Sequence, residues 1–553
     1  MGLLRYKLAS SCDAPALRPP CLVHTQKTAE NTPESNLMRR DALIMFTFLC
    51  ERRSPAPGPG PRNGNTGSPL MTDTPPSIVW FRDDLRLQDH PALDAASERG
   101  GKILCVYVLD RSGTTRAQGG ASLWFLHGAL CSLRQTLKKQ GGDCLILEGD
   151  PAEILPALAK ETKADILYCH HRYQKEANAQ DDAVSQALEK VGCDMKRLHG
   201  TVLRQPESVM TKTDTPYKIF SAWWKGFKGL GAPPSPIPAP SGLSFLPLSF
   251  THGKKTKFAP CDIDKALLPT KPDWASKMGE YWDHGEEVAH EALDDFASGP
   301  LAHYDTGRND MAAEESSRLS PYLRHGVLSP RQIWHHCKNK GEPADRETFL
   351  SELGWRDFSW YTLFHNPELP QRNLKKQFDS LNWRKSRKDL QAWQKGKTGI
   401  PVVDAGMRQL WETGWMHNRA RMIVASFLAK HLLIDWRQGE AWFWDTLIDA
   451  DPASNAVNWQ WVAGTGIEAS PFFRIFNPLR QSDKFDPKGD YIRRWVPELA
   501  RLPDDAIAAP WQADKDVLER AGIRLGRDYP EPIISLDEGR DRAMTAYRKT
   551  KGS

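Results

Sequence analysis

Residues 413–477, TGWMHNRARMIVASFLAKHLLIDWRQGEAWFWDTLIDADPASNAVNWQWVAGTGIEASPFFRIFN, mix amide, basic and indole side chains more densely than a protein core requires. On a helix, Asn418, Arg421 and Met422 fall at i, i+3 and i+4, so an amide, a guanidinium and a thioether share one face, which reads as a binding wall. Trp436 follows in IDW, Asp449 and Asp451 in LIDAD, and Asn455, Trp459 and Trp461 in NAVNWQW. Helical core accounts for any one of these tryptophans, and a solvated face for any one of the charges. Taken whole, the constellation suits a flat aromatic ligand.

The elements that must position these residues come in two kinds. From Ser77 to about Pro206 short apolar runs, SIVWF, KILCVYVLD, CLILEGD and ADILYCHH, alternate with helical patterns such as ASLWFLHGALCSLRQTLKK and DDAVSQALEKVG. That alternation predicts a parallel, helix-covered sheet. Ligands of such sheets bind beyond the carboxyl ends of the strands, here near residues 83–86 and 170–173. No GxGxxG follows a strand, so an NAD-type dinucleotide is not supported. The Pro-rich connection APPSPIPAPSGLSFLPLSFTHG, residues 232–253, separates two domains, and from about Glu286 onward the periodicity is helical throughout. The expected fold is a doubly wound, Rossmann-like α/β domain over residues 71–206, a linker over 207–285, a large all-α domain over 286–547 and a tail over 548–553. Residues 1–70, with the apolar run ALIMFTFLC and the Pro-, Gly- and Ser-rich SPAPGPGPRNGNTGSPL, are expected to be a disordered extension or a mis-assigned start ahead of Met71.

A chain of 553 residues is long enough for two large cores. Its net charge of +5 is too small to argue nucleic-acid binding from the total, so local clustering must carry that argument. RNLKKQFDSLNWRKSRKDLQAWQKGK, residues 372–397, is one such cluster, and a solvated face explains it equally well. The ten cysteines include no CxxC pair and none follows Cys337, which argues against a zinc ribbon, a disulfide framework or an iron–sulfur cluster in the C-terminal half. No metal is expected, and a reducing cytoplasm fits. No apolar run approaches the roughly 20 residues of a transmembrane helix.

WFRDDLRLQDHPAL at residues 80–93, SSRLSPYLRHGVLSPRQ at 316–332, LGWRDF at 353–358 and the block above resemble motifs of the photolyase/cryptochrome family, most closely the bacterial class I cyclobutane pyrimidine dimer photolyases. The resemblance runs from about Ser77 to about Tyr547. It implies a light-driven carbon–carbon lyase. FAD in its reduced form, FADH−, excited directly or through an antenna, donates an electron to the dimer, and the electron returns after the ring splits. It implies a bacterial, cytoplasmic, nucleoid-associated monomer that acts on DNA containing such dimers, with no membrane and no obligate protein partner.

A dinucleotide flavin needs its pyrophosphate held by hydroxyls, backbone amides and cations, and SSRLS offers hydroxyls with Arg318 before a helix N-terminus. By the resemblance, FAD is lined by Tyr304, Ser316, Ser317, Arg318, Leu319, Ser320, Trp355, Arg356, Asn418, Asp449, Ala450, Asp451 and Asn455. Asn455 faces flavin N5, where plant cryptochromes tend to carry Asp and animal ones Cys, so Asn favours repair. Trp383, Trp436 and Trp459 match a chain of indoles that carries electrons from the surface to oxidised flavin. Glu352, Trp355, Asn418, Met422 and Trp461 match the pocket for a flipped-out dimer, whose extrusion is cheap because damaged bases stack and pair poorly. Asn455 and Glu352 are the catalytic candidates. Arg308, Arg419, Arg421, Arg474 and Gln481 are candidates for phosphate or pocket contacts, with the salt dependence these bring. A folate antenna (5,10-methenyltetrahydrofolate) is favoured over a deazaflavin, although Glu176 and Ala177 stand where folate-binding relatives carry Asn-Glu. Two alternatives stay open, a cryptochrome-like photosensor and a (6-4) photolyase, whose IHHLARH corresponds to MHNRARM here.

Overall fold

The computed structural model describes residues 74–248, 259–269 and 273–551; the expected extension over 1–70 lies outside them. Strands β1 (Ser77–Phe81), β2 (Ile103–Asp110), β3 (Cys144–Gly149), β4 (Ile166–His170) and β5 (Asp194–Leu198) form one parallel sheet in the order β3-β2-β1-β4-β5. β1 to β4 are almost continuously apolar because helices cover both faces, whereas the edge strand β5, DMKRL, is partly exposed and polar.

The two faces of the sheet bury different partners. Ile78, Trp80, Leu104 and Val106 pack against Leu155, Leu158, Val184 and Leu188 of the helices Pro151–Thr162 and Lys175–Glu189. Val79, Phe81 and Cys105 turn to the other side, into a cluster that continues through Phe125 to Tyr304, Phe349 and Phe358 of the helical part. The two domains therefore share one core. Their motifs also dock through the backbone: Leu85 N–H donates to the His325 carbonyl at 3.2 Å, and the Arg86 side chain donates through Nη1 to the Gly326 carbonyl at 2.9 Å. Gly326 has φ +65°, and a Cβ there would stand 2.0 Å from the Asp83 carbonyl oxygen, so only glycine allows this approach.

Within residues 207–285, expected as linker, the helix Phe220–Gly229 buries Phe220, Trp223, Trp224 and Phe227. Trp224 lies so close to Gly354 of the helix Pro343–His365 that a Cβ would meet its ring at 2.5 Å. The helices Pro401–Thr413, Asn418–Ser426, Trp436–Thr446 and Pro452–Ala463 surround a second core that holds Trp393, Trp436, Phe443 and Trp459. A π-turn, Phe427–His431, extends the Asn418–Ser426 helix. Among the described residues no helix is long and apolar enough to cross a membrane.

Candidate functional site

The LIDAD segment is clamped from several directions. The Asp451 side chain caps the helix Pro452–Ala463, accepting from Ala453 N (3.0 Å) and Ser454 N (2.7 Å), with Pro452 in the first turn. The buried Asp449 carboxylate accepts from both terminal nitrogens of Arg421, at 3.1 and 2.8 Å, and from Ser320 Oγ at 2.6 Å. Trp415 Nε1 in turn donates to Ser320 Oγ. The Ala450 carbonyl accepts from Arg324 Nε at 2.6 Å, and Arg324 Nη1 reaches Asp83 of the α/β domain at 2.7 Å. Ser320 and the run Asp449, Ala450 and Asp451 are thus held in one clamped segment.

One turn into the capped helix, Asn455 Nδ2 donates to the Glu440 carbonyl (3.0 Å) and to Glu440 Oε1 (2.8 Å). Two acceptors on one side settle which atom is nitrogen, so Oδ1 points away from Glu440. Among the described residues that Oδ1, the hydroxyls of Ser316 and Ser317 and the side-chain amide of Asn418 have no protein hydrogen-bond partner. Polar groups left open on separate segments, from the buried Asn455 through the half-buried Ser316 and Ser317 to the exposed Asn418, are what a dinucleotide with a polar heterocycle requires, so the residues present fit FAD. Arg318 is differently employed. Its backbone is left-handed (φ +51°), its guanidinium lies 4.4 Å from the Trp282 ring, and burial lowers its pKa.

Asn418, Arg421 and Met422 do share the helix Asn418–Ser426, as their spacing predicts. Arg421 uses Nε on the Met416 carbonyl and both terminal nitrogens on Asp449, so its guanidinium is already engaged by protein groups. His417 caps this helix, its Nδ1 accepting from Arg419 N at 3.1 Å. Burial, then Arg419 and Arg421, pull its pKa to about 4, which keeps it a neutral acceptor.

Trp459 and Trp436 are buried and Trp383 is half-buried, so the three indoles run from inside towards the surface. A Cβ on Gly439 would stand 2.1 Å from the Trp459 ring, a close approach that seats the helix bearing Trp436 against the helix bearing Trp459. Trp393, missed in the sequence, stacks edge-on to Trp459 at 6.2 Å.

Glu352 and Trp355 lie one turn apart on the helix Pro343–His365. Glu352 pairs with Arg308, which lies over the Tyr304 ring at 5.3 Å. Trp355 stacks on Phe220 with ring centroids 3.7 Å apart, and Trp355 and Trp461 line one cleft. Arg356 donates to the Thr201 carbonyl at 3.0 Å. Arg419 is held by Asn309 and lies 3.7 Å from Met422 Sδ. Arg474 is exposed, next in the chain to the exposed Phe473, and Gln481 is half-buried. Below that loop the fully buried Lys430 donates to the Phe472 carbonyl at 2.7 Å.

Beyond the carboxyl ends of the strands opens a cavity of about 620 Å³, lined among others by Trp80, Tyr107, Arg111, Arg116, Arg172, Glu176, Ala177 and Trp444. Nearby Asp84, His90 and His170 stand close enough to share an ion, but the carboxylate already pairs with His170 Nδ1 at 2.8 Å.

A family model described as DNA photolyase matches residues 77–241, and one described as the FAD binding domain of DNA photolyase matches residues 349–549. The deoxyribodipyrimidine photo-lyase of Agrobacterium fabrum is 46% identical over 485 residues, 87% of this chain and 99% of that one. Cryptochrome-1 of Arabidopsis thaliana is 36% identical over 487 residues, 85% of this chain and 70% of that one. Among solved structures, a bacterial class III photolyase from Agrobacterium tumefaciens superposes with a TM-score of 0.83 at 45% identity, covering 88% of this chain and all of that one.

Proposed function

The chain belongs to the photolyase/cryptochrome family, and from that premise we propose that it is a deoxyribodipyrimidine photo-lyase, which repairs cyclobutane pyrimidine dimers in DNA under light. The observation that carries this reading is the oriented amide of Asn455, fixed by Glu440 and set beside the clamped Asp449. Reduced FAD, when bound and excited, supplies the electron that opens the cyclobutane ring. Ser316, Ser317, Asn418 and Asp451 would hold it, with Asp449 as an anchored acceptor and Asn455 presenting oxygen towards N5. Trp355 and Trp461 form apolar walls for the extruded dimer, Met422 an adaptable one, and Glu352 accepts a hydrogen bond from a damaged base. Trp383, Trp436 and Trp459 carry electrons inward to restore the reduced cofactor. Arg308, Arg419 and Arg474 supply positive charge around the mouth.

The motifs resemble class I, but the 45% identity with a class III photolyase over all of that chain supports class III for this one. The cavity beyond the strands suits a planar antenna, a folate in preference to a deazaflavin, because Arg111, bridged only to the exposed Glu148, can meet a carboxylate tail. The protein works on DNA as a monomer, in the cytoplasm. His417, held as a neutral helix cap, offers no free acid to (6-4) chemistry.

The test is repair of an oligonucleotide with a single cyclobutane thymine dimer by reduced protein, with matched blue-light and dark samples. Light-dependent repair is expected. Bound, reduced flavin without repair would support the photosensor reading that the cryptochrome-1 likeness raises.

A further inference from the structure

Glu440 owes its position to the other domain. Its carboxylate is only 6% exposed, and it accepts from Arg116 Nη1 at 2.7 Å and Nη2 at 3.1 Å, a two-pronged contact between residues 324 apart in the chain. Such a fork fixes the plane of a carboxylate as a single point charge does not. Arg116 is itself fixed from behind, with its guanidinium 4.1 Å from the centre of the Trp444 ring, and Trp444 Nε1 donates to the neighbouring Ala117 carbonyl at 2.8 Å. The next residues are seated just as closely. A Cβ on Gly119 would lie 2.0 Å from the Trp444 carbonyl oxygen, and Gly120 N–H donates to Asp445 Oδ1 at 2.9 Å. Residues 116–120 of the α/β domain are therefore docked along the helix Trp436–Thr446, and the docking ends at the carboxylate that orients Asn455.

We propose that Arg116 is a positioning residue for the flavin: it holds the Glu440 carboxylate in the one orientation that turns Asn455 Oδ1 towards N5. Nothing about Arg116 suggests this in the sequence, and it touches neither Asn455 nor the groups assigned to FAD. Without its fork, Glu440 is free to rotate, and the two acceptors that define the Asn455 amide are no longer aimed together. The inference rests on the flavin-site reading above.

The experiment measures the one-electron reduction potential of bound flavin in the full-length holoprotein, in Arg116→Met and Arg116→Lys, each with Asn455 intact and with Asn455→Ala. Arg116→Met is expected to make reduction about ten-fold less favourable, a fall of ~59 mV. In the Asn455→Ala background the same change is expected to shift the potential by less than two-fold, because the oriented amide is already gone. Arg116→Lys keeps the positive charge but not the fork, so it separates orientation from through-space charge and is expected to behave more like Met than like Arg. An equal shift in both backgrounds, or no shift with flavin bound, would overturn the proposal while leaving the site intact. A wild-type protein that retains no flavin would overturn the site reading and this inference with it.

Discussion

Lys430→Met isolates the effect of one buried ammonium. Lys430 sits in the π-turn Phe427–His431, fully buried, with Nζ 2.7 Å from the Phe472 carbonyl oxygen and 4.2 Å from the centre of the Phe472 ring. Burial draws its pKa from 10.5 to about 7. The unfolded chain thus binds one proton more than the folded chain between pH 7 and 10.5, so stability rises with pH across that window and is lowest below it. At 1.36 kcal/mol per pKa unit, the swing is on the order of 5 kcal/mol. Methionine fills similar space and does not titrate, but it leaves the Phe472 carbonyl without its donor, a loss of ~1–3 kcal/mol. The variant should therefore be more stable than wild type by a few kcal/mol at pH 6 and less stable by up to ~2 kcal/mol at pH 10, where about 0.8 kcal/mol of the wild-type penalty remains. Denaturant unfolding followed by tryptophan fluorescence at pH 6, 7, 8, 9 and 10 reads the difference, in which groups common to both proteins cancel. His431 does not intrude, because burial, then Lys430, holds it at about 4. A stability difference that stays constant over this pH range would refute the argument. Because the same contact anchors the turn leading to Phe473 and Arg474, weaker binding of dimer-containing DNA by the variant is also expected.

Trp383→Phe should block photoreduction of oxidised flavin yet leave repair by pre-reduced protein nearly intact; collapse of that repair would show that the two electron routes are not separate. Asp449→Ala should destabilise the flavin-free protein by ~3 kcal/mol, at the low end for a broken buried pair because Arg421 is 25% exposed. Arg421→Met combined with it should then add little, and simple additivity in thermal or denaturant unfolding would refute the pair's importance. Arg474→Ala should reduce the slope of log affinity against log salt by about 1, equally for damaged and undamaged DNA, and an unchanged slope would remove Arg474 from the phosphate contacts. Glu352→Gln should weaken binding of dimer-containing DNA by ~1.5–3 kcal/mol while sparing undamaged DNA, and a competition assay with both would expose equal losses if Glu352 met only phosphate-bound Arg308.

What was legible in the sequence depended on the range of the force that placed each residue. β1 to β4 stand out as apolar runs because both faces are covered, while β5 does not, since an edge strand of sequence DMKRL carries no apolar pattern. The helix Phe220–Gly229 did leave a local mark, Phe220, Trp223, Trp224 and Phe227 at i, i+3, i+4 and i+7, but the neighbouring prolines made the segment look like linker. Asn418, Arg421 and Met422 were correctly set on one helix because helical spacing is local. The partner of Arg421 was not readable, because Asp449 arrives from another helix junction 28 residues on. Asn455 stood in the dense polar and indole block, but its role came from resemblance alone, and the pair that orients it, Glu440 and Arg116, left no trace in spacing. Those contacts exist only once the second face of the sheet and the helical domain have buried a common core. A substitution at that shared core, such as Phe125→Ala, should therefore act on the flavin site through the docking of residues 116–120 as well as through lost packing, although Phe125 belongs to a helix of the α/β domain.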